Sequence, residues 1–198
     1  MNNNKNSFAE VIESSLQSWT SQTWQWDNIP AFGSIVTIDS NEKTIFGIIS
    51  QINIGSIDPV RSPFPYQKTE EELLREQPQI FEFLKTTFLC ISLGYKENGK
   101  IFHLISPKPP KIHSFIAHAS KDQIIEFFQN EKYLHILFGS QNQIFNLDEL
   151  LLTILKNLQT LHILSPEKLN NFVQTFSLLT GNDYRRLKLF LQRIHEII

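Results

Sequence analysis

GYKENGKI, residues 94–101, decides between two folds. Read as G-x-x-x-x-G-K, it is a phosphate-binding loop and the chain is an α/β nucleotide-binding protein. Read as two strands about Asn98-Gly99, it is a hairpin in an antiparallel β protein. A phosphate loop needs a strand before it, a helix after it whose N-terminus faces the phosphate, and a Ser or Thr after the lysine for magnesium. Ile101 stands at the hydroxyl position, and the residues that follow, KIFHLIS (100–106), have β-type composition. Asn-Gly between two such runs is the strongest short hairpin pattern, because both residues accept positive φ in a type I′ turn. The stretch is a hairpin, and it gives no ground for an ATPase.

Upstream, FGSIVTIDSNEKTIFGIISQINIG (32–55) is rich in Ile, Val and Thr and is split by the polar SNEK (40–43). That pattern predicts a second hairpin ending at Gly55. Gly33 and Gly47 fall inside it, and a glycine within a strand marks a bulge or the sharp bend that a small barrel needs at its corners. A segment with four prolines, SIDPVRSPFPYQKTEEELLREQPQI (56–80), follows. Thr69 with Glu72 three residues on forms a capping box, and Glu70, Glu71 and Glu72 occupy the first turn, where the helix dipole favours acids. Successive helical residues diverge, so these three carboxylates do not converge on one ligand. QIFEFLKTT (79–87) is expected to resume a short helix.

Before the first hairpin, the leading seven residues are polar and are expected to be mobile. FAEVIESSLQSW (8–19) carries Phe8, Val11, Ile12 and Leu16 at helical spacing and predicts a short amphipathic helix. WTSQTWQW (19–26) packs three Trp into eight residues, with no Lys or Arg between Lys5 and Lys43. Base-stacking aromatics come with basic neighbours, so core or lid packing is the preferred reading.

Beyond SPKPPKIHSFIAHAS (106–120) the sequence turns helical. Ser120 with Gln123, Asn146 with Glu149, and Ser165-Pro166 open three helices, and Gly181 stops the third. The last helix, DYRRLKLFLQRIHEII (183–198), is expected to line Tyr184, Leu187, Leu191, Ile194 and Ile198 on one face. The fold class read from this order is α+β. A small N-terminal β-barrel with an inserted Pro-rich and helical connector precedes a C-terminal helical subdomain. The divisions are 1–28 (N-terminal helix and aromatic segment), 29–118 (barrel, connector 56–86) and 119–198 (helices).

The residues 32–55, the run YQKTEEELLREQPQIFEFLKTTFLCISLGY (66–95) and PKPPKIHSF (107–115) together resemble the HAS-barrel, the small β-barrel named for HerA-type DNA translocases and rotary ATP synthases. The shared pattern is G-x-V-x-x, a polar turn, then an apolar strand containing F-G-I-I; it covers roughly residues 30–118. The helical part from 120 onward resembles the compact helical segment that follows such barrels in some stand-alone bacterial members. In that family the barrel is not the catalytic part, and it packs into a crown that helps hold a ring of ATPase domains. This chain has no Walker A motif, Walker B strand or arginine finger, so the resemblance implies protein association and not ATP hydrolysis.

Composition narrows the field further. Of 198 residues, 41% are hydrophobic and 19% charged, which suits a folded chain. The net charge of −2 gives no global attraction to nucleic acid or anionic membrane. No apolar run reaches membrane-spanning length, and no membrane insertion is expected. The first 60 residues contain no Arg, unlike an import signal, and Cys90 is the only cysteine, which rules out an intrachain disulfide and suits a reducing compartment. Heavy Ile and Asn usage with four Ala points to an AT-rich coding genome. The expected location is the cytoplasm, or a plastid stroma if the gene is organellar.

The candidate chemistry is sparse. His103, His113 and His118 are the available bases or metal ligands, but they lack a zincin spacing and read better as surface or packing residues. Cys90 sits in the apolar run TTFLCISL (86–93), where a thiol behaves as a small buried hydrophobe. No nucleophile elbow or dinucleotide fingerprint occurs, so no catalytic residue, cofactor or metal is assigned. Arg185, Arg186, Lys188 and Arg193 make a basic helix face for phosphate or an acidic partner, and a solvated helix surface is the preferred reading. Leu189 and Phe190 widen the apolar side of that helix.

The expected function is a non-enzymatic interaction or assembly module contacting a larger complex, or a homo-oligomer formed through the barrel. Its partner surface is expected at residues 59–66 (Pro63, Pro65, Tyr66), residues 107–113 (Pro109, Pro110, His113) and the last helix (Arg185, Arg186, Arg193). Prolines pre-restrict those loops and lower the ordering cost of binding. The first alternative is an accessory factor of a DNA-processing ATPase, with weak nucleic-acid contact through the three arginines. The second is a small metal-dependent hydrolase using the three histidines.

Overall fold

The structure, a computed structural model, describes residues 6–40, 43–58, 60 and 63–196. Seven strands come first, β1 (Ser7–Ser14), β2 (Ser18–Thr23), β3 (Ile35–Ser40), β4 (Lys43–Ser56), β5 (Leu84–Glu97), β6 (Lys100–Phe102) and β7 (Phe115–His118). Helix α1 (Glu70–Glu76) and a 3₁₀ segment, Pro78–Phe83, lie between β4 and β5. Helices α2 (Lys121–Phe127), α3 (Tyr133–Gly139), α4 (Leu147–Thr160), α5 (Pro166–Leu179) and α6 (Tyr184–His195) follow the sheet. The protein is α+β, as the sequence indicates.

The strand order is β2-β1-β7-β3-β4-β5-β6, and β2 also pairs with β5. That pairing, Ser18 through Gln22 against Ile91 through Thr87, closes six antiparallel strands into a barrel. β6 hangs from the far end of β5 through the Asn98-Gly99 hairpin, whose two residues have φ of 52° and 74° as a type I′ turn requires.

The barrel interior takes side chains from all six strands, including Phe8, Val11, Trp19, Ile38, Ile49, Phe88, Cys90 and Ile116. β3, β4 and β5 are apolar on their outer face as well. Ile35, Phe46, Ile48, Ile91 and Leu93 point outward into a second core shared with the helices. Two buried faces explain why these strands read as nearly continuous apolar runs. α4 is the centre of that second core, burying Leu150, Leu151, Ile154, Leu155 and Leu158 among others. The reciprocal capping boxes at Thr69 and Ser120 are present, and Asn146, Ser165 and Asp183 each cap a helix by accepting an N–H.

The N-terminal segment differs from expectation. Residues 8–19 are not a helix; they form β1, the turn and the start of β2, so the sheet begins at Ser7 rather than at residue 29. β1 is irregular at two places, between Ser7 and Ala9 on one side and between Val11 and Glu13 on the other. Each irregularity shifts the in–out alternation by one residue, and the resulting spacing of apolar residues imitates a helix. QIFEFLKTT (79–87) likewise is a 3₁₀ segment only as far as Phe83, with β5 starting at Leu84. In α6 the buried residues are Phe190 and Ile194, flanked by half-buried Leu187 and Leu191, while Tyr184 is 76% exposed. Residues 1–5 of the leading segment expected to be mobile, the expected Ile198 position, the link residues Asn41 and Glu42, and Pro59, Arg61 and Ser62 of the connector lie outside the described residues, while Ser7 already belongs to β1.

Candidate interaction surface

Around the ring of six strands, β1 stands across from β4. The helices cover the β3–β5 side, so the outer face of β1 and its neighbours is left uncovered. Glu10 lies at the middle of that face, paired across the sheet with Gln22 of β2 and Phe115 of β7. Its carboxylate joins two flanking rings. Trp24 Nε1 donates to one oxygen at 3.4 Å, and His113 Nδ1 meets the other at 2.7 Å.

The Trp24 and Phe115 rings contact edge to face, with centroids 5.5 Å apart at 85°. Trp24 is nevertheless 50% exposed, Phe115 39% and Ile12 of β1 44%. The turn carrying His113 is tied to β1, since His113 N donates to Val11 O at 2.9 Å and Val11 N donates to Ser114 O at 3.0 Å. His113 has φ of 66°, so the turn holds a left-handed residue to bring its imidazole to Glu10. Two aromatic rings are therefore exposed but fixed in place. Pre-ordered aromatics lose little side-chain entropy on docking, which is why Trp and Tyr dominate binding hot spots.

Of the residues expected from the sequence to form a partner surface, only His113 belongs to this cluster. Pro63, Pro65 and Tyr66 are exposed on the β4–β5 connector, where Phe64 and Tyr66 meet edge to face at 5.8 Å. Pro109 is exposed, but Pro110 is buried and offers a partner no surface. Arg186 is engaged internally. It donates from two nitrogens to Asp148 of α4, at 2.6 and 3.3 Å, and its guanidinium lies over the rings of Phe138 and Phe176. Arg193 pairs with Glu149 at 2.7 Å. Arg185 alone of the three is exposed without an ion pair among the described residues. Two of the four cations of the basic face, Arg186 and Arg193, are thus paired with acids of α4. The sequence gives no sign of Glu10, Trp24 and Phe115 as a surface, because residues 8–19 have the apolar spacing of a helix and Trp24 reads with Trp19 as packing. Trp19 is in the core at 1% exposure; Trp24 is not.

The three histidines lie apart in separate settings. His103 Nε2 bonds to the Phe127 carbonyl at 2.9 Å, and burial holds its imidazole below the usual range. His118 stacks flat on Phe8, centroids 4.4 Å apart, and although the residue keeps an exposed edge, this partial desolvation lowers its imidazole too. Among the described residues no three His, Cys, Asp or Glu side chains gather as a metal site. Cys90 is fully buried in the barrel, and desolvation pushes its thiol well up, away from a nucleophilic thiolate.

His118 also borders a cleft of about 260 Å³ between the barrel and the helices, floored by Ile35, Ile124, Phe128 and Ile154. Asn157 on its wall donates to the Gly33 carbonyl at 3.2 Å, and no Asp, Glu, Lys or Arg lines it. The polar residues on its wall are His118, Asn157, Ser34 and Thr160.

No protein-family model matches the chain, and no curated protein matches it significantly in sequence. No helix among the described residues is long and apolar enough to cross a membrane.

Proposed function

We propose that this chain is a non-catalytic protein-interaction or assembly module, built on a HAS-type barrel, that joins a larger protein complex through its uncovered barrel face. The observation that carries this reading is the exposed edge-to-face Trp24–Phe115 pair, whose indole is hydrogen-bonded to Glu10. The closed six-stranded barrel, the long connector between β4 and β5 and the helices that follow are the features that support the HAS-type reading. In that family the barrel serves association. The connector adds contact area next to the prolines, with Val60 91% and Phe64 71% exposed. The nucleic-acid alternative loses support from the ion pairs of Arg186 and Arg193.

The test is affinity capture from the native host, with and without nuclease, using the wild-type chain, a Trp24→Ser/Phe115→Ser variant and a Tyr184→Ser control. The expected result is a protein partner at fixed ratio that survives nuclease, is kept by the control and is lost by the double variant. Companions that vanish with nuclease, or a partner the double variant still holds, contradict the proposal.

A further inference from the structure

β4 runs past the end of its neighbour β3. Pairing with β3 stops at Ile48, and the last bonds on that side are Gly33 N to Ile49 O at 2.8 Å and Ile49 N to Ser34 O at 3.0 Å. From Ser50 to Ser56, β4 pairs only with β5, and its second edge has no strand partner among the described residues. Natural sheets blunt such an edge with bulges, charges or proline; a bulge between Ile49 and Gln51 lies only at the start of this one. Here the sequence is SQINIGS, with neither, and Ile54 is 51% exposed.

The direction of the main-chain groups follows from one bond. Ile57 N donates to Phe83 O at 2.7 Å, continuing the β5 ladder. By the two-residue period of an antiparallel pair, Asn53 and Gly55 also turn toward β5, while Ile52 and Ile54 present N–H and C=O to the open side. The strand is nearly symmetric about Asn53. An antiparallel copy placed on a two-fold axis there sets Ile52 opposite Ile54 of the other copy in a hydrogen-bonded pair, and does the same again across the axis. It meets no like charge, and it extends the apolar side of the ribbon, where Ile52 already packs against the barrel core.

We propose that two copies of this chain associate through the open edge of β4, forming a two-fold, continuous sheet with Asn53 at the axis. A second copy fits better than an unrelated peptide because the edge matches itself in side chains as well as in main-chain direction. This association stands on the sheet edge alone and is independent of the Trp24 face.

Light scattering on the full chain, together with the Asn53→Cys and Ile54→Lys variants, tests it. Facing Asn53 residues form a non-hydrogen-bonded pair with Cα atoms about 4.5 Å apart, within disulfide range. Native Cys90 is buried and does not compete. The expected results are a particle of two chains for the wild type, a covalent dimer of Asn53→Cys on mild oxidation at low micromolar protein, and a single chain for Ile54→Lys with a native circular dichroism spectrum. If Ile54→Lys does not fold, the cysteine crosslink decides. A single-chain wild type at hundreds of micromolar, or a dimer in which Asn53→Cys does not crosslink, overturns the proposal.

Discussion

Trp19 lies directly on Gly47 inside the barrel. A Cβ built on Gly47 would come within 2.4 Å of Trp19 Cη2, so the indole of β2 occupies the space a side chain on β4 would need. β4 shifts register against β5 at this point, between Phe46 and Gly47. The glycine thus bends the strand and admits the largest side chain of the interior in one position.

Gly47→Ala is expected to cost about 1–3 kcal/mol, the usual penalty for overpacking a filled core. Adding Trp19→Phe should recover part of that loss, since the smaller ring vacates the methyl's space. Urea unfolding of the two single variants and the double variant measures the coupling; strict additivity would mean that the two residues do not share the space.

The Asp148–Arg186 pair joins the starts of α4 and α6, and its two side chains are only about a third exposed. Arg186→Met is expected to lower stability by about 1–2 kcal/mol, less than for a fully buried pair because water still reaches it. A double-mutant cycle with Asp148→Asn should return a favourable coupling. If Arg186→Met instead leaves stability unchanged and abolishes an association, the arginine belongs to a partner surface.

Acid should weaken the fold through histidine. The imidazoles of His103 and His118 both lie below the ordinary value of 6.5, chiefly because burial disfavours their charged form. The unfolded chain therefore takes up protons near pH 6.5 that the folded chain refuses. Stability is at its full value above that pH and falls as pH drops through it. The melting temperature should decrease from pH 7.5 to 5.5, and a His103→Gln/His118→Gln variant should show a flatter profile over that window.

The legible parts of the sequence were those where one local rule acts alone. Asn98-Gly99 specifies its turn, and Thr69 and Ser120 specify capped helix starts, because neighbouring residues satisfy the geometry by themselves. Cys90 in an apolar strand run is buried as its surroundings demand. β1 was hidden because two irregularities break its alternation, so that Phe8, Val11 and Ile12 fall at helical intervals. Losing β1 also hid the candidate surface, since Glu10 is the residue that joins Trp24 to His113 across more than 80 positions of chain. The difference between Trp19 and Trp24 has a similar origin. Both lie in one aromatic segment, but strand alternation turns Trp19, Ser21 and Thr23 of β2 inward and leaves Trp24, five positions after Trp19, outside.

The most direct measurement is hydrogen–deuterium exchange on the protein alone and bound to its captured partner. Docking on the uncovered barrel face should slow exchange in β1, in the residues around Trp24 and in the turn through His113 and Phe115, leaving α5 and α6 unchanged. Slowing confined to the helical half, or none anywhere, would contradict the assignment of that face as the interaction surface.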